Sequence, residues 1–151
     1  MDVLMVEDNR GDVVLVREAM AKLEVPHRMN VVRDGVEAMK YLRRQPPYEN
    51  APRPDLIVLD LKLPLKNGRE VLEEMEPNPE WRDIPIVLLS SSRTELELAR
   101  SIQLPAQSFM VKPSTFAGYV ELVRSITAFF RKSGGEALAG ETGRTRDGEA
   151  L

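Results

Sequence analysis

The residues with chemistry to offer stand where apolar runs stop. Glu7 and Asp8 follow VLMV, Asp60 closes LIVLD, Ser90 and Ser91 follow IVLL, and Lys112 with Pro113 follows FMV. If these runs are neighbouring strands of one parallel sheet, their polar successors meet at its carboxyl edge, which is where open parallel sheets bind ligands. Clustered carboxylates repel unless a proton or a cation joins them. Oxygen donors without histidine or cysteine suit Mg²⁺ or Mn²⁺. A carboxylate is also a covalent acceptor for phosphate, and Asp60 is placed for that role. Lys112 and Mg²⁺ would offset charge developing on a transferring phosphoryl group, and Ser90 would donate to one of its oxygens. Two plainer readings stand beside this one: Asp60 as a helix cap or as the ion-pair partner of Lys112, and Ser90 as a helix cap in competition with Ser91 and Ser92.

The elements that must position these groups are legible in the hydrophobic pattern. Strands are expected at Val3–Val6, Met29–Val32, Leu56–Leu59, Ile86–Leu89 and Phe109–Val111. The third and fourth are almost wholly apolar, as strands covered on both faces must be. Between them, apolar residues recur at helical spacing: Val13, Val16, Met20 and Leu23; then Val36, Met39, Tyr41 and Leu42; then Val71, Leu72 and Met75. A fourth helix is expected over Thr94–Ile102 and a fifth over Phe116–Arg131. Alternating strands and helices of this kind specify an α/β fold with a parallel sheet between helical layers. Gln45–Pro54, with four prolines, reads as an exposed loop.

Composition narrows the classes. A chain of 151 residues, 42% hydrophobic, holds one domain with a real core. It has no cysteine, so disulfides, thiolate metal sites and cysteine nucleophiles are out. The net charge of -3 gives no surplus for phosphate backbones, and no DNA partner is expected. The N-terminus MDVLMVEDN resembles neither a signal peptide nor a membrane span, so a cytoplasmic protein is expected. The domain is expected over 1–132. Residues 133–151, SGGEALAGETGRTRDGEAL, carry too little apolar surface to fold and are expected to be a disordered tail.

The acid pair Glu7 and Asp8, Asp60 with xxxPxxxG behind it, Ser90, and Lys112–Pro113 together resemble the receiver domains of two-component response regulators. The resemblance spans about Asp2 to Lys132. It implies a flavodoxin-like (βα)5 fold, a doubly wound parallel sheet with strand order 2-1-3-4-5. It implies Asp60 as the phosphoacceptor, and Mg²⁺ held by Glu7, Asp8, Asp60 and the backbone carbonyl of Lys62. It further implies Ser90 and Phe109 as switch residues and a cis peptide before Pro113 that aims Lys112. VEDNxxDxxLVxxA, VLDLKLPxKNGREVL, SSS and VKPST are similar to single-domain regulators that partner bacteriophytochromes. A sensor histidine kinase, a phytochrome kinase in particular, is the implied donor, and a downstream phosphotransfer protein is a further implied partner. The sole histidine, His27, lies in a helix–strand connection, so phosphate must come from another molecule.

The chain is expected to be a phosphoacceptor, not an enzyme acting on other substrates. Two other classes share some features. A Mg²⁺-dependent aspartyl-phosphate phosphohydrolase wants an acid two residues past its nucleophile, where Lys62 stands. A flavin carrier wants a phosphate loop after the first strand, where VEDNRGD is acidic. Finally, Phe116, Tyr119, Val120, Leu122, Val123, Ile126, Phe129 and Phe130 cover about half of the last helix, more than one core-facing stripe needs. The arc predicts either a deeply seated helix or a homodimer contact with Leu122 and Phe129 near its centre, a face through which several phytochrome-partner regulators pair.

Overall fold

The computed structural model describes residues 1–24 and 26–132; the expected tail lies outside them. Ten elements alternate among the described residues: β1 (Asp2–Val6), α1 (Arg10–Lys22), β2 (Arg28–Val32), α2 (Gly35–Leu42), β3 (Leu56–Asp60), α3 (Gly68–Met75), β4 (Ile86–Ser90), α4 (Arg93–Ser101), β5 (Ser108–Val111) and α5 (Phe116–Lys132). All strand pairings are parallel, in the order β2-β1-β3-β4-β5. This is the flavodoxin-like order that the motif resemblance implied.

Period-two alternation divides the core between the faces of the sheet. Leu4, Val6, Ile57, Leu59, Ile86 and Leu88 pack with α2, α3 and α4 through Met39, Val71, Leu72, Met75 and Leu96. Val3, Met5, Leu56, Val58, Val87 and Leu89 pack with α1 and α5 through Val16, Met20, Tyr119, Val123 and Ile126. β3 and β4 are buried along their whole length, whereas every residue of the edge strand β5 is half-buried.

Register brings the strand ends level. Val6 faces Leu59 and Asp60 faces Leu89, so Glu7 and Ser90 each stand one residue beyond a pair that includes or adjoins the acceptor strand's end. Lys112 is tied to the same edge by its amide, which donates to the Ser90 carbonyl at 2.9 Å. Helix caps then turn the chain away from the edge: Asn9, Asp34, Asn67 and Ser92 each accept a backbone N–H of the following first turn.

The β3–α3 connection explains the Pro64 and Gly68 that delay the helix. A Cβ on Gly68 would lie 2.5 Å from the Asp60 carbonyl oxygen and 2.9 Å from Leu61 Cα. Only glycine lets α3 start this close to the end of β3. On its other side the loop presses on α2, since a Cβ on Gly35 would lie 2.0 Å from the Lys66 carbonyl oxygen. Leu65, at the tip, holds a positive φ of 66° and is 80% exposed.

Two expectations are corrected. The Lys112–Pro113 peptide is trans; the cis bond among the described residues joins Pro46 and Pro47. A trans X-Pro bond is the lower-energy form by about 0.5–1 kcal/mol, and Lys112 reaches the acids without the cis form. Leu122 is 7% exposed and belongs to the core between α5 and the sheet, so it cannot sit at the centre of an interface. The broad apolar arc of α5 comes largely from seating against both the sheet and α1.

Candidate functional site

Lys112 is the hub of the carboxyl edge. Its Nζ lies 2.8 Å from Glu7 Oε1, 2.9 Å from Asp12 Oδ2 and 2.8 Å from Asp60 Oδ2. An ammonium has three N–H donors, and here it meets three carboxylates, from the residue after β1, from α1 and from the end of β3. Hydrogen bonds run from Nζ to Asp12 and Asp60; the Glu7 contact is ionic but out of line, leaving Glu7 Oε1 without a hydrogen bond. Burial alone would push the lysine pKa down. The close contacts with Asp60, Glu7 and Asp12 outweigh it, and the pKa stands above the usual lysine value.

Glu7 is 1% exposed. Burial pushes its carboxyl up, Lys112 pulls it down and neighbouring Asp60 pushes it up again, with the net result at about 7. Its Oε2 accepts the Asn9 amide at 3.1 Å. Asp60 is buried, with Oδ1 accepting the Lys62 amide at 3.1 Å and Oδ2 turned to Lys112. Asp8, by contrast, opens to solvent. Carboxylate oxygens of Glu7, Asp8 and Asp60 all lie within 4.8 Å of one another. That donor set fits a hard divalent cation: all oxygen, with one exposed ligand for entry and two buried acids short of positive charge.

Ser90 is on the spot but turned aside. Its hydroxyl donates to Glu95 Oε1 at 2.9 Å and accepts the Ser92 amide at 3.0 Å. Glu95 also pairs with Lys62 Nζ at 3.2 Å. Ser92, not Ser90, caps α4 by accepting the Glu95 amide. Phe109 is half-buried on β5, with the Arg100 guanidinium 4.9 Å from its ring centroid. An open groove of about 600 Å³ borders the site, lined by Lys62, Leu63, Arg69, Glu95, Leu98 and Ile102 among others.

The structure thus brings Glu7, Asp8, Asp60, Ser90 and Lys112 to one edge. Phe109 lies further along β5, and Phe129 is half-buried against the α1–α5 side of the core. Three participants carry no role that the sequence motifs assign. Asp12 bridges Lys112 and the Tyr119 hydroxyl, which donates to Asp12 Oδ1 at 3.0 Å. Tyr119 is buried, and burial together with that bond pushes its phenol up to about 12. Glu95 holds Ser90. The signals for them were the acid in VEDNxxD, the one hydroxyl in the apolar arc of α5 and the spacing of Ser92 and Glu95.

Comparison with known proteins follows the same pattern. The sequence profile described as response regulator receiver domain matches residues 3–124. The response regulator Rcp1 of Synechocystis sp. is 39% identical over 128 residues, spanning 85% of this chain and 87% of that protein. The crystal structure of its Mn²⁺-bound form superposes with a TM-score of 0.76, covering 85% of this chain and 93% of that one. The phosphorylated cyanobacterial phytochrome response regulator RcpA is 43% identical with a TM-score of 0.77, covering 85% and 92%. The bacteriophytochrome response regulator AtBRR is 39% identical with a TM-score of 0.72, covering 82% and 89%.

Proposed function

The chain belongs to the response regulator receiver domain family, and from that premise we propose that it relays a signal by taking a phosphoryl group from a histidine kinase onto Asp60. The observation that carries this reading is the buried Asp60 carboxylate held 2.8 Å from Lys112 on the edge that also bears Ser90 and the acid cluster. An Asp60 oxygen forms the new P–O bond as the bond from phosphorus to the donor's imidazole nitrogen breaks, and that nitrogen keeps the electron pair. Lys112 loses little by the exchange, because its donor to Asp60 Oδ2 can turn to a phosphoryl oxygen while Glu7 and Asp12 keep the ammonium in place. Ser90 supplies a second donor once its hydroxyl leaves Glu95.

Glu7, Asp8 and Asp60, with the Lys62 carbonyl, would hold a Mg²⁺ or Mn²⁺ ion. When bound, the ion neutralises charge on the transferring oxygens. Rcp1 has been crystallised in a Mn²⁺-bound form, which supports a divalent metal here by analogy. The phytochrome regulators among the relatives support a phytochrome-coupled kinase as donor, and a phosphotransfer protein downstream is compatible with the same chemistry. No helix among the described residues is long and apolar enough to cross a membrane, and the reading puts the protein in the cytoplasm with the kinase's transmitter. The test is chemical trapping. Incubation with a phosphorylated kinase and borohydride reduction should convert Asp60, and no other acid, to homoserine in the peptide spectrum. Conversion at Asp8 or at no acid overturns the assignment.

We also propose self-association through the face formed by α4, β5 and α5. The half-buried edge strand, Phe129, and the exposed Leu98, Ile102 and Phe116 support it. Sedimentation velocity of the parent and Phe129→Asp at micromolar concentrations decides it: a parent that is monomeric with and without phosphodonor ends the proposal.

A further inference from the structure

The starts of α3 and α4 share a local sequence pattern but not its outcome. Asn67-x-x-Glu70 opens α3 and Ser92-x-x-Glu95 opens α4. In α3 the pattern closes as a capping box: Asn67 Oδ1 accepts the Glu70 amide and Glu70 Oε1 accepts the Asn67 amide, both at 2.9 Å. In α4 only half of it forms. Ser92 Oγ accepts the Glu95 amide at 3.1 Å, but the Glu95 carboxylate reaches past the Ser92 amide to the Ser90 hydroxyl. The Ser92 amide is satisfied by Ser90 Oγ instead.

We infer that Glu95 is a positioning residue that withholds the Ser90 hydroxyl from the phosphoacceptor site until Asp60 is phosphorylated. The inference rests on the phosphoacceptor reading and adds a regulator of that site. A serine hydroxyl has one proton to donate. While Glu95 Oε1 takes it, a phosphoryl oxygen on Asp60 cannot. Release is made easy by the half-formed box. When Ser90 turns to the phosphoryl group, the Ser92 amide loses Ser90 Oγ and Glu95 loses the serine proton; Glu95 closing back onto the Ser92 amide satisfies both. The two arrangements keep the same number of hydrogen bonds and differ in which group Ser90 serves, which is what a two-state element requires. Lys62 steadies the withheld state from the β3–α3 loop by its ion pair with Glu95. The groove that Glu95 and Lys62 line together leaves room for the side chain to move.

The experiment measures the rate of Asp60 phosphorylation by a small phosphodonor such as phosphoramidate, with saturating Mg²⁺, in the parent, Glu95→Ala, Ser90→Ala and the double variant. The expected result is an acceleration on the order of tenfold in Glu95→Ala, near the low end of what a hydrogen bond to a charged acceptor supplies. Damage to the fold alone would slow the reaction. Glu95→Gln, whose amide oxygen still accepts from Ser90 more weakly, should fall between the two. The acceleration must vanish in the Ser90→Ala background, because Glu95 acts through that hydroxyl. An equal acceleration without Ser90 would reduce the effect to removal of a negative charge and overturn the inference. So would a Glu95→Ala rate at or below the parent's. A parent that takes up no phosphoryl group at all, or an Asp60→Asn variant that takes one up undiminished, overturns the reading beneath it instead.

Discussion

Replacing Glu7 by Gln should stabilise the metal-free protein at neutral and alkaline pH, although it removes an acid that touches Lys112. Glu7 is all but inaccessible, and burial is the largest contribution that lifts its carboxyl from 4.5 to about 7. A carboxyl that ionises at higher pH when folded binds its proton more tightly in the folded chain. The corresponding stability is complete below pH 4.5 and is lost as pH rises to about 7 and beyond. At 1.36 kcal/mol for each tenfold change in proton affinity, that interval amounts to about 3 kcal/mol. Gln cannot ionise and keeps the shape, and Lys112 retains Asp12 and Asp60. Urea denaturation of parent and Glu7→Gln in chelator, from about pH 5 to 8.5, should therefore give curves that diverge with pH. The variant should be favoured by up to about 3 kcal/mol above pH 7 and by little near pH 5. Excess Mg²⁺ should reverse the order, since it stabilises whichever fold binds it more tightly and a carboxylate is the better ligand. A constant gap across this pH range, or a variant less stable than the parent at pH 8 without metal, would refute the burial argument.

Lys112→Met should lower stability by about 3–5 kcal/mol in chemical denaturation, because Glu7, Asp12 and Asp60 lose their shared buried cation. Tyr119→Phe keeps the packed ring but takes a donor from Asp12 Oδ1, and should cost about 1.5 kcal/mol in the same assay. Asp8→Asn should weaken Mg²⁺ binding by calorimetry at least tenfold while raising the metal-free melting temperature slightly, as repulsion with Glu7 and Asp60 is relieved.

The parts of the fold legible in the sequence are those set by local pattern. Strands such as LIVLD announce themselves by unbroken apolar runs, and the strand-end groups Glu7, Asp8, Asp60, Ser90 and Lys112 could be expected together because a parallel sheet aligns its carboxyl ends. The strand order came with the motif resemblance; periodicity alone allows several. What escaped was set by contacts between distant segments. Asp12 and Lys112 are a hundred residues apart and Asp12 and Tyr119 further still, so an acid in the first turn of α1 reads as an ordinary helix N-terminal charge. Glu95 has the right spacing for a capping box, and only the position of Ser90 shows that it serves another group. Leu122 illustrates the opposite failure. A helical wheel shows how wide an apolar arc is, but not that α1 flanks α5 and claims the edge of that arc for the core.

If Asp60 is the single acceptor of a phosphoryl group, with Lys112 essential beside it, intact-mass spectrometry after incubation with Mg²⁺ and a phosphodonor will show it most directly. The proteins to compare are the parent, Asp60→Asn and Lys112→Ala. The predicted result is one added phosphoryl group on the parent, absent when Mg²⁺ is chelated before the donor is added, no adduct on Asp60→Asn, and a strongly reduced yield on Lys112→Ala. An undiminished adduct on Asp60→Asn would contradict it.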